Sequence, residues 1–414
     1  MKLAIVGGGS TYTPELIDGF ARMRDVLPVE ELWLVDTNPE RLELVAGVAT
    51  RMFAKAGHPG RIVPSSDLVA GVSDADAVLI QLRVGGQDAR RGDETWPHEV
   101  HCIGQETTGP GGFAKALRTV PVILNVADAV RKHAKKDAWI VDFTNPVGIV
   151  TRALLQEGHN AVGLCNVAIG FQRRFAGMLG VTPDEVSLGH VGLNHLTWIR
   201  SVTQGGVDRL PEFFDRFAED SEQLEVARLI GAIPSYYLRY YYHHDQVLEE
   251  QLHEPTRAEA VQQVERELLA LYADPSVDTK PEALERRGGA FYSEAAIELL
   301  SGLVGGIDQT RVVNLRNGSS LPFLPDDHVI EVPARVTSAG VEALPIAPLD
   351  DDVRGLISAV AGYERLALDA AVHGGRERVL RAMQAHPLVL QYERAEKLTD
   401  LLLQHNSQHL AWAR

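Results

Sequence analysis

The chain has 414 residues, 45% hydrophobic and 23% charged, with 40 basic against 56 acidic side chains and a formal charge of −16. This is an ordinary globular composition in a chain too long for one hydrophobic core, so two domains are expected. The acidic balance argues against nucleic acid or an anionic membrane as partner, but not against a small anion held by local arginines. The two cysteines, Cys102 and Cys165, build no disulfide framework and point to a reducing compartment, with the cytoplasm as the expected location.

In chain order, Leu3–Val6 reads as a first strand and not a signal peptide, and no apolar run reaches the length of a membrane span. Thr13-Pro14-Glu15 reads as an N-cap, a proline at the first helical position and an acid in the first turn of a helix to about Arg24. Strands are expected at Leu32–Val35, Arg61–Val63, Ala77–Leu82, Trp139–Asp142 and Ala161–Leu164. Helices are expected at Glu40–Ala56, Lys115–Arg131 and Val147–Gln156. Strands separated by helices predict an N-terminal Rossmann-like, doubly wound parallel sheet over 1–185. A long polar connection, Arg83 to Gly112, is read as a functional loop. From 186 to 414 the pattern becomes a mixed, helix-rich α+β domain. It has two β-like runs around Gly-Leu-Asn-His, helical periodicity from Pro211 to Tyr272, strands in TRVVNLRN and HVIEVPARV, and helix again from Asp351.

AIVGGGSTYTPE places Gly7, Gly9 and Ser10 between a strand and a helix. There the backbone can approach a pyrophosphate and free N–H groups face it. Asp36 ends the second strand, where a carboxylate bonds the ribose hydroxyls of NAD and disfavours the 2′-phosphate of NADP. The third glycine of the dinucleotide pattern is absent, since Tyr12 stands there.

Four stretches fall at strand ends or in the domain covering them: Arg91-Gly-Asp93-Glu94, Thr144-Asn145-Pro146, Cys165-Asn166 and Asn194-His195. A thiolate and an imidazole are good metal ligands, and soft sulfur alone points to zinc. Cys165 and His195 are far apart in sequence, so a buried structural cysteine with a turn histidine, or a Cys–His nucleophile pair, stay open.

The chain resembles family 4 of the glycoside hydrolases, the group that depends on NAD and a divalent metal, and within it the 6-phospho-β-glucosidase branch. GGGSTYTPEL (7–16), RRGDE (90–94), IGQETTGPGGF (103–113), TNPVG (144–148), GLCNV (163–167), GLNHL (192–196), IPSYYLRYY (233–241) and RRGGAFYS (286–293) carry the resemblance in family order. Where the family pattern has a proline after Cys-Asn, this sequence has Ala168. The resemblance implies transient NAD-dependent oxidation at C3 of the sugar, loss of the C2 proton, elimination of the aglycone, water addition and re-reduction. It departs from two-carboxylate hydrolysis. It implies Cys165 and His195 as ligands of Mn2+, and Tyr237 as the C2 base with Tyr241 as the alternative. Arg91 and Arg287 are implied for the 6-phosphate, Asn145 and Asn166 for sugar hydroxyls, and a homodimer or homotetramer as the assembly. The plainer alternative for Arg91 is an ion pair with Asp93 or Glu94. The competing functional readings are an NAD-dependent 2-hydroxy-acid dehydrogenase, an inactive NAD-binding sensor, and a glycosidase of the same family acting on unphosphorylated sugars.

Overall fold

The computed structural model describes residues 1–214, 221–288 and 291–413. Six short strands are parallel: β1 (Lys2–Val6), β2 (Glu31–Val35), β3 (Arg61–Ser65), β4 (Ala77–Ile80), β5 (Trp139–Asp142) and β6 (Ala161–Gly163). They lie in the order β3-β2-β1-β4-β5-β6. That is a doubly wound nucleotide-binding sheet, whose order reverses between β1 and β4. Helices cover both faces, so the strands read as continuous apolar runs. All four residues of β4 are buried, and each fully buried Val, Leu or Ile side chain contributes about 1.5–3 kcal/mol.

The sheet continues past β6. Seven further strands are β7 (Val186–Leu193), β8 (Leu196–Gln204), β9 (Val207–Asp208), β10 (Ile233–Pro234), β11 (Gln309–Arg316), β12 (Val329–Thr337) and β13 (Gly340–Ala343). They extend it antiparallel in the order β6-β11-β12-β7-β8-β10. The joints are narrow: Asn314 pairs with Gly163, and Glu331 with Gly192. A Cβ at position 163 would lie 2.1 Å from Thr151 Oγ1, so only glycine lets helix Val147–Gln156 and β11 meet there.

The structure alters several sequence expectations. The connection 83–112 is not irregular, for it contains helix Gly86–Thr95 and the 3-10 turn Trp96–Val100. Its last residues already belong to a long helix, Gly109–His133. Thr13 is not an N-cap: the helix Thr13–Arg22 starts at it with Tyr12 as cap. The Thr13 hydroxyl instead donates to Gly8 O at 2.9 Å and accepts from Gln81 Nε2 at 2.8 Å, tying the glycine turn to β4. Helix Val167–Leu179, directly after Cys165-Asn166, was not anticipated. Part of the expected helical stretch (215–220), and Gly289 and Ala290 of RRGGAFYS, lie outside the described residues. No helix among the described residues is long and apolar enough to cross a membrane.

Candidate active site

A cavity of 530 Å³ opens at the carboxyl ends of β1, β4, β5 and β6. Its walls include Ser10 and Tyr12 after β1, Gln81 and Arg83 after β4, Asn145 after β5 and Asn166 after β6. Ligands of open α/β sheets bind at such a crevice.

The glycine turn is built for close approach. Gly7 has φ +91°, and a Cβ there would sit 2.5 Å from Gln81 O. A Cβ on Gly9 would sit 2.9 Å from the Asp36 carboxylate, which accepts the Gly9 N–H at 2.9 Å and the Asn38 N–H at 2.9 Å. Asp36 therefore stands beside the turn.

Six basic side chains (Arg83, Arg90, Lys115, Arg239, Arg257, Arg287) and four carboxylates line the cavity, so it is electropositive in a strongly acidic chain. Glu106 lies at its floor, bonded by Arg83, by Lys115 Nζ at 2.6 Å and by Arg90 Nη2 at 3.3 Å. Burial alone would raise its pKa, but these three cations hold it well below the usual carboxylate range. The same burial depresses Lys115 to about 7 against the pull of Glu106. Arg287 donates to Thr11 Oγ1 at 2.7 Å and pairs with Glu265 at 3.2 Å. Burial disfavours its charge, Glu265 supports it, and Arg83 and Arg90 repel it. Three guanidiniums are thus gathered around a space an anion would relieve.

Arg91 is not part of this group. Its side chain is 49% exposed and pairs with Asp88 at 3.7 Å, whereas Arg90 is 10% exposed, lines the cavity and bonds Glu94 at 2.7 Å. The reason is helical geometry. Gln87, Arg90 and Glu94 share the buried face of helix Gly86–Thr95, and position 91 points away from it. Neither Asp93 nor Glu94 pairs with Arg91; Asp93 is locked to Arg118.

Asn145 and Asn166 both line the cavity, and Asn145 Oδ1 is buried without a hydrogen-bond partner among the described residues, as expected of an acceptor awaiting a ligand donor. Tyr237 also lines it. Its ring lies flat on His195, centroids 3.6 Å apart and planes 9° apart. Burial lifts the phenol well above its ordinary range, Cys165, Tyr240 and Glu106 add to that, and Arg90 opposes it. Tyr241 does not line this cavity; it borders a 20 Å³ cavity that His195, Thr107, Asn194 and His386 also line.

Neither Cys165 nor His195 lines the large cavity; His195 stacks on Tyr237 and borders the small cavity. Burial and Glu331 raise the Cys165 pKa, and the nearby Val167 N–H and the Asn194 and Tyr292 side chains lower it. Burial holds His195 down to about 4, so the ring is neutral. A sulfur cradled by donors and a neutral imidazole suit a divalent metal, which deprotonates the thiol. No cluster of three His, Cys, Asp or Glu able to hold a metal occurs among the described residues. Cys165 and His195 would supply two donors, and other positions would be open to substrate oxygens. The residues fit the group.

Sequence reasoning missed Arg90, Arg83, Lys115, Tyr292 and Glu331. Arg90 had a signal, its i,i+4 spacing to Glu94, and Tyr292 lies in RRGGAFYS; Arg83, Lys115 and Glu331 had none.

The fold and site define a dinucleotide-binding α/β enzyme with a candidate metal pair beside an anion-seeking cavity. Residues 2–181 match the Family 4 glycosyl hydrolase model and residues 190–389 the Family 4 glycosyl hydrolase C-terminal domain. The chain belongs to this family. It is 40% identical to the probable 6-phospho-beta-glucosidase of Bacillus subtilis, over 99% of this chain and 97% of that one. It is 35% identical to the 6-phospho-beta-glucosidase of Escherichia coli, over 98% and 95%. The 6-phospho-beta glucosidase of Thermotoga maritima, solved with manganese, NAD+ and glucose-6-phosphate, superposes with a TM-score of 0.93 at 34% identity, covering 99% of each chain.

Proposed function

We propose that this chain hydrolyses 6-phospho-β-glucosides using NAD+ and a divalent metal, most simply Mn2+. The observation that carries the reading is the convergence of the glycine turn, the arginine group and the Tyr237–His195 stack on one cavity. Similarity to 6-phospho-β-glucosidases along the whole chain supports it.

When bound, NAD+ supplies a hydride acceptor and donor at C3, and the metal polarises the C2 and C3 oxygens. The protein's part is positional and acid–base. Gly7, Gly9, Ser10 and Asp36 hold the dinucleotide. Arg83, Arg90 and Arg287 receive the 6-phosphate, with Arg90 in the role first assigned to Arg91. Asn145 and Asn166 bond sugar hydroxyls and orient the ring. Tyr237 takes the C2 proton, and Arg90 is the cation that opposes the burial raising its pKa. Cys165 and His195 hold the metal. Hydride leaves and returns at the same carbon, so no NADH accumulates, unlike in a 2-hydroxy-acid dehydrogenase.

Residues 1–185 form the nucleotide unit in this reading and 186–414 the substrate, metal and oligomerisation unit of a homodimer or homotetramer. A cytoplasmic location fits two free thiols and a phosphorylated substrate.

Release of p-nitrophenol from the 6-phospho-β-glucoside and from the plain β-glucoside, with NAD+ or Mn2+ withheld in turn, tests the proposal. Cleavage of the phosphorylated substrate alone, dependent on both additions, is expected. Cleavage of the plain glucoside would remove the phosphate role of the arginines. NAD+ binding without cleavage of either would favour a sensor.

A further inference from the structure

Gln105, Thr107 and His195 form a hydrogen-bond chain whose direction is fixed from one end. Gln105 Oε1 accepts the backbone N–H of Thr107 at 2.5 Å and of Thr108 at 2.7 Å. Backbone N–H groups only donate, so the amide atom facing them is the oxygen. That oxygen also lies 2.8 Å from Thr107 Oγ1 and has no proton to give, so the hydroxyl donates its single proton to it. Thr107 Oγ1 then offers only lone pairs to His195 Nδ1, 2.8 Å away. The proton of the neutral ring is therefore on Nδ1, and Nε2 carries the free lone pair. The opposite tautomer would set two lone pairs against each other in a buried site.

We infer that Gln105 and Thr107 are positioning residues that select the tautomer of His195 and present its Nε2 to the divalent metal. This rests on the proposed reading of His195 as a ligand. Two contacts fix the imidazole: Thr107 holds its edge and the Tyr237 ring its face. The backbone of His195 is in the left-handed region, φ +62°, in the turn between β7 and β8. Glu106, between the two positioning residues, bonds Arg83 and Lys115. One short segment thus serves both the arginine group and the candidate metal pair.

The full chain labelled with 15N-histidine gives the direct test. In the metal-free protein, the two-bond nitrogen–proton pattern of His195, assigned by its loss in His195→Asn, is expected to show Nδ1–H. An Nε2–H pattern overturns the inference. In parallel, Mn2+ alone is titrated into the wild type, Thr107→Val, Thr107→Ser and His195→Asn, with free Mn2+ read by electron paramagnetic resonance. Thr107→Val is expected to weaken binding about 10–100-fold, the usual effect of losing such a partner, and Thr107→Ser to restore it. Wild-type affinity in Thr107→Val, with binding lost in His195→Asn, overturns the positioning role alone. Wild-type affinity in His195→Asn removes the metal reading and this inference with it.

Discussion

The imidazole of His195 lies flat against the phenol ring of Tyr237, centroids 3.6 Å apart and planes within 9°. This stack places the proposed base directly on the proposed metal ligand, with the phenol facing the cavity. Tyr237→Phe keeps the stack and removes only the hydroxyl. It is expected to lower kcat about 10²–10⁴-fold, the range for a general base, with Mn2+ affinity unchanged. Tyr241→Phe, altering a residue that does not line the large cavity, is expected to leave kcat near wild type. Steady-state kinetics with p-nitrophenyl 6-phospho-β-glucoside checks both.

Arg90 and Arg91 are neighbours with opposite fates. Arg90→Ala is expected to cut kcat/KM for the phosphorylated substrate about 10–100-fold, since a hydrogen bond to a charged group contributes roughly 1.5–3 kcal/mol. Arg91→Ala changes an exposed side chain and is expected to be silent in kinetics and within about 0.5 kcal/mol in stability. Loss of activity in Arg91→Ala with Arg90→Ala silent would reverse the assignment.

Cys165 has donors around its sulfur and no disulfide partner. Cys165→Ser is expected to weaken Mn2+ binding by more than the about 10–100-fold seen when only a ligand's partner is lost. Chelator treatment of the wild type is expected to abolish activity, and Mn2+ to restore it. Calorimetric titration with Mn2+ measures the first effect, and activity after dialysis the second.

Burial alone depresses the pKa of His386 to about 3. Its ring packs against Tyr363 and Tyr241, and its Nδ1 accepts the Leu388 N–H at 3.1 Å. An unfolded histidine titrates near 6.5, so between those values the unfolded state holds the extra proton. The stabilising effect of the neutral ring is full above about pH 6.5 and is lost as pH falls toward 3, at about 1.4 kcal/mol per pH unit. His195, near 4, adds to this slope. Urea unfolding at pH 7 and pH 5 is expected to show a fall, reduced in His386→Asn. An unchanged slope in that variant would refute the assignment.

How much of this was legible in the sequence follows from what each element buries. Apart from β3, the parallel strands are short apolar runs, and β1 to β6 could be read within a residue or two. Helix Gly86–Thr95 could not. Its buried face is Gln87, Arg90, Asp93 and Glu94, paired to Glu265, Glu106, Arg118 and the N–H of Ala258, so it carries no apolar periodicity. Arg91 was chosen over Arg90 for the same reason, because facing cannot be read without the helix. Asp36 lies at the glycine turn, and Asn145, Asn166 and Tyr237 line the cavity. The thiol's donors, Tyr292 and Asn194, come from distant parts of the chain that only the fold brings together.

The central claim is that the C2 proton leaves during turnover while the redox change stays internal. Hydrolysis of a 6-phospho-β-glucoside in D2O, with NAD+ and Mn2+, tests it most directly, with the product read by NMR at C2 and NADH followed by absorbance. The account predicts deuterium at C2 of the released sugar phosphate and no net NADH. A product that keeps its original hydrogen at C2, or NADH accumulating with turnover, would contradict it.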